Sequence, residues 1–305
     1  MDWIYVLGGL IALFFGGEAL VRGAVGIARR LAIPPLLIGL TVVGFGTSTP
    51  ELLVSVDAAL GGVPDIAIGN IVGSNIGNIL LIVGLSALVW PIRVMGGTLR
   101  RDTTVMMAAA VALLPLFWMG EISRLSGALL FAALMGYLIW AYRHPGPEAD
   151  EEDTSPLLPL WQTALWVAFG LGALMLGARF LVDGAVNIAR GMGVSEAFIG
   201  LTIVAIGTSL PELATSLIAA LRKQSEIAIG NIVGSNIFNV LGILGVTAMV
   251  SPIPVADRFF SFDLPVMIAM SAVLTALLLL RPQIGRISGL ALLVAYAAYV
   301  WAAQG

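Results

Sequence analysis

Apolar residues in this chain fall into ten runs separated by short polar breaks. They lie near positions 3–21, 36–60, 66–90, 103–119, 125–142, 160–182, 197–221, 227–250, 261–280 and 287–303. Runs of about 17–25 residues are long enough to cross a hydrocarbon layer as helices. The pattern predicts an all-α integral membrane protein with ten transmembrane helices. The least apolar stretch, RHPGPEADEEDTSPLLP at 143–159, is rich in Pro and acidic residues and reads as a solvated linker. It lacks the alternating ligands of an EF-hand loop. It divides the chain into units at 1–142 and 160–305. The opening MDWIYVLGGLIALFFGG has no basic leader, and its apolar run is too long for a cleavable signal, so it reads as the first span.

Composition narrows the class. Of 305 residues, 59% are hydrophobic and 11% charged, against about 45–50% and 25% in soluble domains. A soluble enzyme, a nucleic-acid binder and a disordered chain are all excluded. With a net charge of −3 and one lysine, Lys223, there is no basic face for phosphates. The absence of cysteine removes disulfides, iron–sulfur clusters and thiolate metal sites, and the lone His144 removes a multi-histidine site. Orientation follows from the basic residues. With the N-terminus outside, only Arg124, Arg179, Arg190 and Arg258 of the 15 basic residues fall outside. Both termini are therefore expected outside and the acidic linker in the cytoplasm.

The chain also repeats itself. Shifted by 161 residues, GLTVVGFGTSTPELLVSVDAAL at 39–60 lands on GLTIVAIGTSLPELATSLIAAL at 200–221. IAIGNIVGSNIGNIL at 66–80 lands on IAIGNIVGSNIFNVL at 227–241. Between 39–80 and 200–241, 27 of 42 positions are identical without a gap. Weaker matches reach back to Gly16/Gly177 and forward to Pro91/Pro252. Two five-span units follow. Five is odd, so the second copy starts on the opposite side of the membrane. Inverted repeats of this kind build secondary transporters, with the substrate site at the repeat interface.

The best-matched stretches are the least suited to lipid. Glu51 in GTSTPE and Glu212 in GTSLPE lie near the centres of their spans. A charge there costs about 2.5–3.5 kcal/mol on insertion scales and marks function. A cation between the two carboxylates gives them a shared reason. Thr47, Glu51 and Ser55 are four apart and share a helix face, as do Thr208, Glu212 and Ser216. Pro50 and Pro211 cannot donate to the carbonyls of Gly46 and Gly207, which distorts that turn. Freed carbonyls suit hard cations. Asn70, Ser74 and Asn78 are likewise spaced by four, with Asn231, Ser235 and Asn239. Gly69, Gly73 and Gly77 form a ridge on which another backbone can pack closely. Ser55, Ser216, Asn70 and Asn231 fit a packing role as well as a site role. Glu18 and Arg22, and Arg179 and Asp183, are expected as i,i+4 ion pairs. Asp57 is expected at the outer mouth.

GTSTPE with GNIVGSNIGN, repeated as GTSLPE with GNIVGSNIFN, resembles the alpha-repeats of the cation/calcium antiporter superfamily, most of all its prokaryotic sodium/calcium exchanger branch. The resemblance spans essentially the whole chain. It implies a four-site diamond at mid-membrane that binds calcium and sodium in turn. Glu51 and Glu212 would be the central ligands. Thr47, Ser48, Ser74, Asn78, Thr208, Ser209, Ser235 and Asn239 would complete the sites, with carbonyls near Gly44 and Ala205. Helices 1 and 6 would slide across the other eight. One departure stands out: many exchangers carry Asp where this chain has Asn239.

Calcium takes six to eight oxygens, which two carboxylates, two amides and several carbonyls supply. The expected activity is calcium/sodium antiport by alternating access. Proton/calcium exchange in the same scaffold and a passive cation channel are the rivals. No covalent step, cofactor or nucleic acid is implied. The protein is expected to work as a monomer in the inner (plasma) membrane, with calcium, sodium and the lipid bilayer as its partners.

Overall fold

The computed structural model describes residues 2–93, 97–144, 158–193 and 205–303. Apart from four two-residue strands that pair into two β-bridges, the regular structure of these residues is helical. Among the described residues eight helices are long and apolar enough to span a membrane, and a bent pair brings the number to nine. They are α1 (Asp2–Leu31), the bent pair α2 (Pro35–Thr47) and α3 (Thr49–Leu60), α4 (Pro64–Val89), α5 (Leu99–Trp118), α6 (Arg124–Arg143), α7 (Leu160–Gly191), α9 (Ser225–Val250), α10 (Phe259–Leu280) and α11 (Arg286–Ala303). The seventh expected span is represented by a short turn at Ala205–Gly207 and by α8 (Leu210–Leu221). Its first part, like most of the acidic linker, lies outside the described residues.

Two helices exceed their apolar runs. α1 has 30 residues and α7 has 32, continuing past the charged positions that were expected to end the spans. Packing explains the extension. The two helices lie antiparallel along a seam of small residues. A Cβ on Gly9 would stand 2.7 Å from the carbonyl oxygen of Gly177, and one on Gly23 would stand 2.9 Å from that of Thr163. No side chain larger than hydrogen fits there without displacement, so the backbones meet directly.

This pair and its neighbours form one hydrophobic cluster, which includes Leu20, Val43, Leu174 and Ile218. A larger cluster joins α4, α5, α6, α9, α10 and α11 through residues such as Ile71, Leu113, Leu134, Val233 and Leu274. The bridges tie this larger body at two places. Ile92–Arg93 pairs antiparallel with Gln283–Ile284, and Glu121–Ile122 with Ile253–Pro254. Each bridge joins a loop of the first half to one of the second.

Of the two expected ion pairs one forms and one does not. Arg179 does meet Asp183 at 3.8 Å on the exposed side of α7. Glu18, however, is held by Arg222, whose Nε donates to Oε2 at 2.8 Å. Arg22 instead lies over the Trp166 ring, 5.4 Å from its centroid. Sequence spacing pairs residues within a helix, whereas here tertiary neighbours offered Glu18 a forked guanidinium and Arg22 an aromatic face.

Candidate functional site

The chain breaks helical order where the two acidic motifs lie. α2 ends at Thr47 and α3 restarts at Thr49, bent by 44°. Pro50 stands in the first turn of the new helix and Pro211 in the first turn of α8, where a missing N–H costs nothing. Glu51 and Glu212 therefore each sit in the first turn of a half-helix. Wide π-helical turns add further breaks at Gly39–Val43, Asn78–Ile82 and Phe238–Ile243. The first directly precedes Gly44, and the other two hold Asn78 and Asn239. Such turns occur often at functional sites.

These breaks bring the two motifs together. Ser48 donates to Glu212 Oε1 at 2.8 Å, and Ser209 donates to Glu51 Oε1 at 3.2 Å. Each carboxylate is thus held by the serine of the other motif. Ser74 lies beside Ser209, with hydroxyl oxygens 3.4 Å apart. Both carboxylates are 1% exposed. Their second oxygens, Glu51 Oε2 and Glu212 Oε2, have no partner among the described residues, and neither do Asn78 Oδ1, Asn239 Oδ1 and Thr208 Oγ1. Buried acceptors without donors are rare and call for a partner. A cation satisfies several at once.

The remaining expected residues divide into two kinds. Thr47 bonds back to the Val43 carbonyl at 3.1 Å and also meets Asn231 Oδ1 at 3.1 Å. Ser235 reaches the Gly44 carbonyl at 3.5 Å, an oxygen that also accepts from the Ser48 N–H. Gly44 is therefore already partly engaged within the protein. Ala205 opens the helical turn before Thr208. Asn70 donates to Ser55 at 2.9 Å and to the Glu51 carbonyl at 3.1 Å. Asn231 does the same to Ser216 at 2.9 Å and to the Glu212 carbonyl at 3.3 Å. These four residues clamp the acidic half-helices to α4 and α9, which is the packing role.

A cavity of about 750 Å³ leads to this centre, lined among others by Asp65, Asn70, Gly73, Ser74, Thr208, Ser209 and Asp263. It corrects two expectations. Gly73 and Gly77 have nothing within 4 Å of an added Cβ, so this part of the ridge borders the cavity rather than another backbone. The acids that line the cavity are Asp65 and Asp263; Asp57 is exposed and does not line it. Among the described residues no group of three or more His, Cys, Asp or Glu could hold a metal. A cation here would rely on two carboxylates and neutral oxygens.

Buried paired carboxylates, broken helices and a cavity that reaches them fit a multi-pass membrane transporter of cations. The profile described as sodium/calcium exchanger protein matches residues 1–143 and 163–304, and the chain belongs to that family. It is 42% identical to CaxA of Alkalimonas amylolytica over 97% of this chain and 96% of that one. It is 30% identical to the sodium/calcium exchanger MaX1 of Methanosarcina acetivorans over 98% and 97% of the two chains. The structure of the sodium-calcium exchanger NCX_Mj soaked with sodium and strontium matches at a TM-score of 0.86, with 34% identity over 100% of this chain and 98% of that one. The family consists of transporters.

Proposed function

We propose that this protein is a secondary active antiporter that exchanges calcium for sodium across the inner (plasma) membrane by alternating access. The observation that carries this reading is the reciprocal pair Ser48–Glu212 and Ser209–Glu51, which surrounds acceptor oxygens without donors. Glu51 and Glu212 are the central ligands. Thr47, Ser48, Ser74, Asn78, Thr208, Ser209, Ser235 and Asn239 line the sites, with carbonyls at Gly44 and Ala205. Calcium and sodium need the same carboxylates, so they compete. An empty site with two bare carboxylates moves reluctantly in a low-dielectric interior. Competition and that barrier together couple the two fluxes.

The repeats 1–142 and 160–305, inverted about the membrane plane, supply ten spans, with both termini outside. The protein acts as a monomer. The antiparallel α1–α7 seam and its separate hydrophobic cluster support a pair that moves as one unit against the rest.

The test is calcium uptake into vesicles containing the purified protein, driven by an imposed sodium or proton gradient. Uptake driven by sodium alone is the expected result. Uptake driven only by protons would make the protein a proton/calcium antiporter, and flux without any counter-ion dependence would make it a channel.

A further inference from the structure

Two thioether contacts cross between the halves at positions that match under the 161-residue shift. Asn236 Nδ2 lies 3.7 Å from the sulfur of Met106, and Asn75 Nδ2 lies 3.6 Å from that of Met267. All four side chains are at most 3% exposed. Neither asparagine is among the residues expected to bind cations, and nothing in the spacing of GNIVGSNI marks the methionines on α5 and α10.

The chemistry of the contact has a direction. A thioether has no proton and can only accept, and weakly. The amide of Asn236 must therefore turn its nitrogen to Met106. Its oxygen then faces the other way, and it accepts from Asn78 Nδ2 at 3.0 Å. That in turn leaves Asn78 with its oxygen free of any donor among the described residues. Without such a constraint an asparagine side chain presents NH₂ or C=O about equally well, and NH₂ repels a cation. We propose that Met106 and Asn236 are positioning residues that fix the Asn78 amide with its oxygen, and not its nitrogen, available to the transported cation. The proposal rests on the reading of Asn78 as a ligand. On the other side the relay is shorter: Asn75 Oδ1 has no donor among the described residues, so the Met267 contact ends at Asn75.

Met106→Leu tests this, because leucine keeps nearly the same volume and lacks the acceptor. Calcium binding is read on the purified full chain in detergent, from the calcium concentration at which the unfolding temperature begins its logarithmic rise, which marks Kd. The same scan shows that each variant is folded. M106L is expected to weaken calcium binding about ten-fold, the lower end of the range for groups that orient metal ligands. In an Asn78→Ala or Asn78→Asp background, whichever still responds to calcium, M106L should change nothing further. Alanine has no amide to orient, and aspartate offers oxygen either way. An unchanged affinity in M106L, or an equal loss in both backgrounds, would overturn the proposal. If M106L does not fold, Asn236→Ala with and without the Asn78 substitution makes the same comparison. Glu51→Gln is the control for the site itself. Parent-like calcium binding in that variant would sink the proposed function, whereas loss there with M106L unchanged sinks only the relay.

Discussion

The helices α4 and α9 carry nearly the same sequence, IAIGNIVGSNI, in opposite surroundings. On α4, Gly73 and Gly77 face open space and Ser74 lines the cavity. On α9, a Cβ at Gly230 would come within 2.6 Å of the Leu36 carbonyl oxygen, and one at Gly234 would strike Leu40. Where α4 has Gly77, α9 has Phe238, set edge-on to Phe45 with ring centroids 4.7 Å apart. Thr208 and Ser209 are partly accessible, whereas their counterparts Thr47 and Ser48 are fully buried. One approach to the centre is open and its counterpart is filled. The motif therefore specifies the site, while tertiary placement specifies which side can reach it.

The largest effect expected is from the acids common to both sides. Glu51→Gln or Glu212→Gln should each reduce calcium exchange to the level of empty vesicles. The protein should remain folded, because an amide relieves the cost of a buried charge. If only one of the two abolished exchange, the carboxylates would not be equivalent.

Accessibility tests the comparison directly, since the chain has no cysteine to interfere. Ser74→Cys should react with a membrane-impermeant thiol reagent applied from the side on which Gly61→Cys reacts, and Ser235→Cys should not. Gly61 is the better marker in this loop, because Gly62 has φ +73° and a cysteine there would be strained. Reaction of both serine-site cysteines from the same side would erase the distinction between the two approaches.

Packing should differ as well. Gly234→Ala should lower the unfolding temperature through over-packing worth about 1–3 kcal/mol. Gly73→Ala should stay within about 0.5 kcal/mol of the parent. Equal losses would mean that α4 is packed like α9. The smallest effect belongs to the exposed Arg179–Asp183 pair. Arg179→Ala should change stability by less than about 1 kcal/mol, as surface ion pairs usually do.

Much of the membrane organisation was legible because lipid imposes a length and a polarity on every span. Observed ends at Pro64–Val89, Arg124–Arg143 and Ser225–Val250 lie within two residues of those expected. The acids stood out because nothing in hydrocarbon tolerates them without a reason. Other features depend on what lies across the interior. Glu18 has Arg222 rather than Arg22 because the second lies on another helix. The π-helical turns at Asn78 and Phe238 leave no mark in an apolar periodicity. Met106 and Met267 read as ordinary core residues until the amides beside them are seen. The glycine spacing of α4 suggests a packing ridge, yet close backbone contact is found at Gly230 and Gly234 on α9 and not at Gly73 and Gly77.

The lengths of α1 and α7 bear on the surrounding lipid. At about 1.5 Å per residue, helices of 30 and 32 residues reach about 45 Å, well beyond a hydrocarbon layer of about 30 Å. A pair joined along a glycine seam cannot shorten by sliding apart. It fits by leaning, or by carrying its ends into the headgroup region, where Arg29 and Arg30 close α1 and Arg190 closes α7. Bilayer thickness thus acts, together with packing against the other helices, on the tilt of a pair that lies over Gly46 and Gly207 through Leu171 and Val182. Acyl-chain length becomes a physical variable acting on the same glycines that precede Thr47 and Thr208.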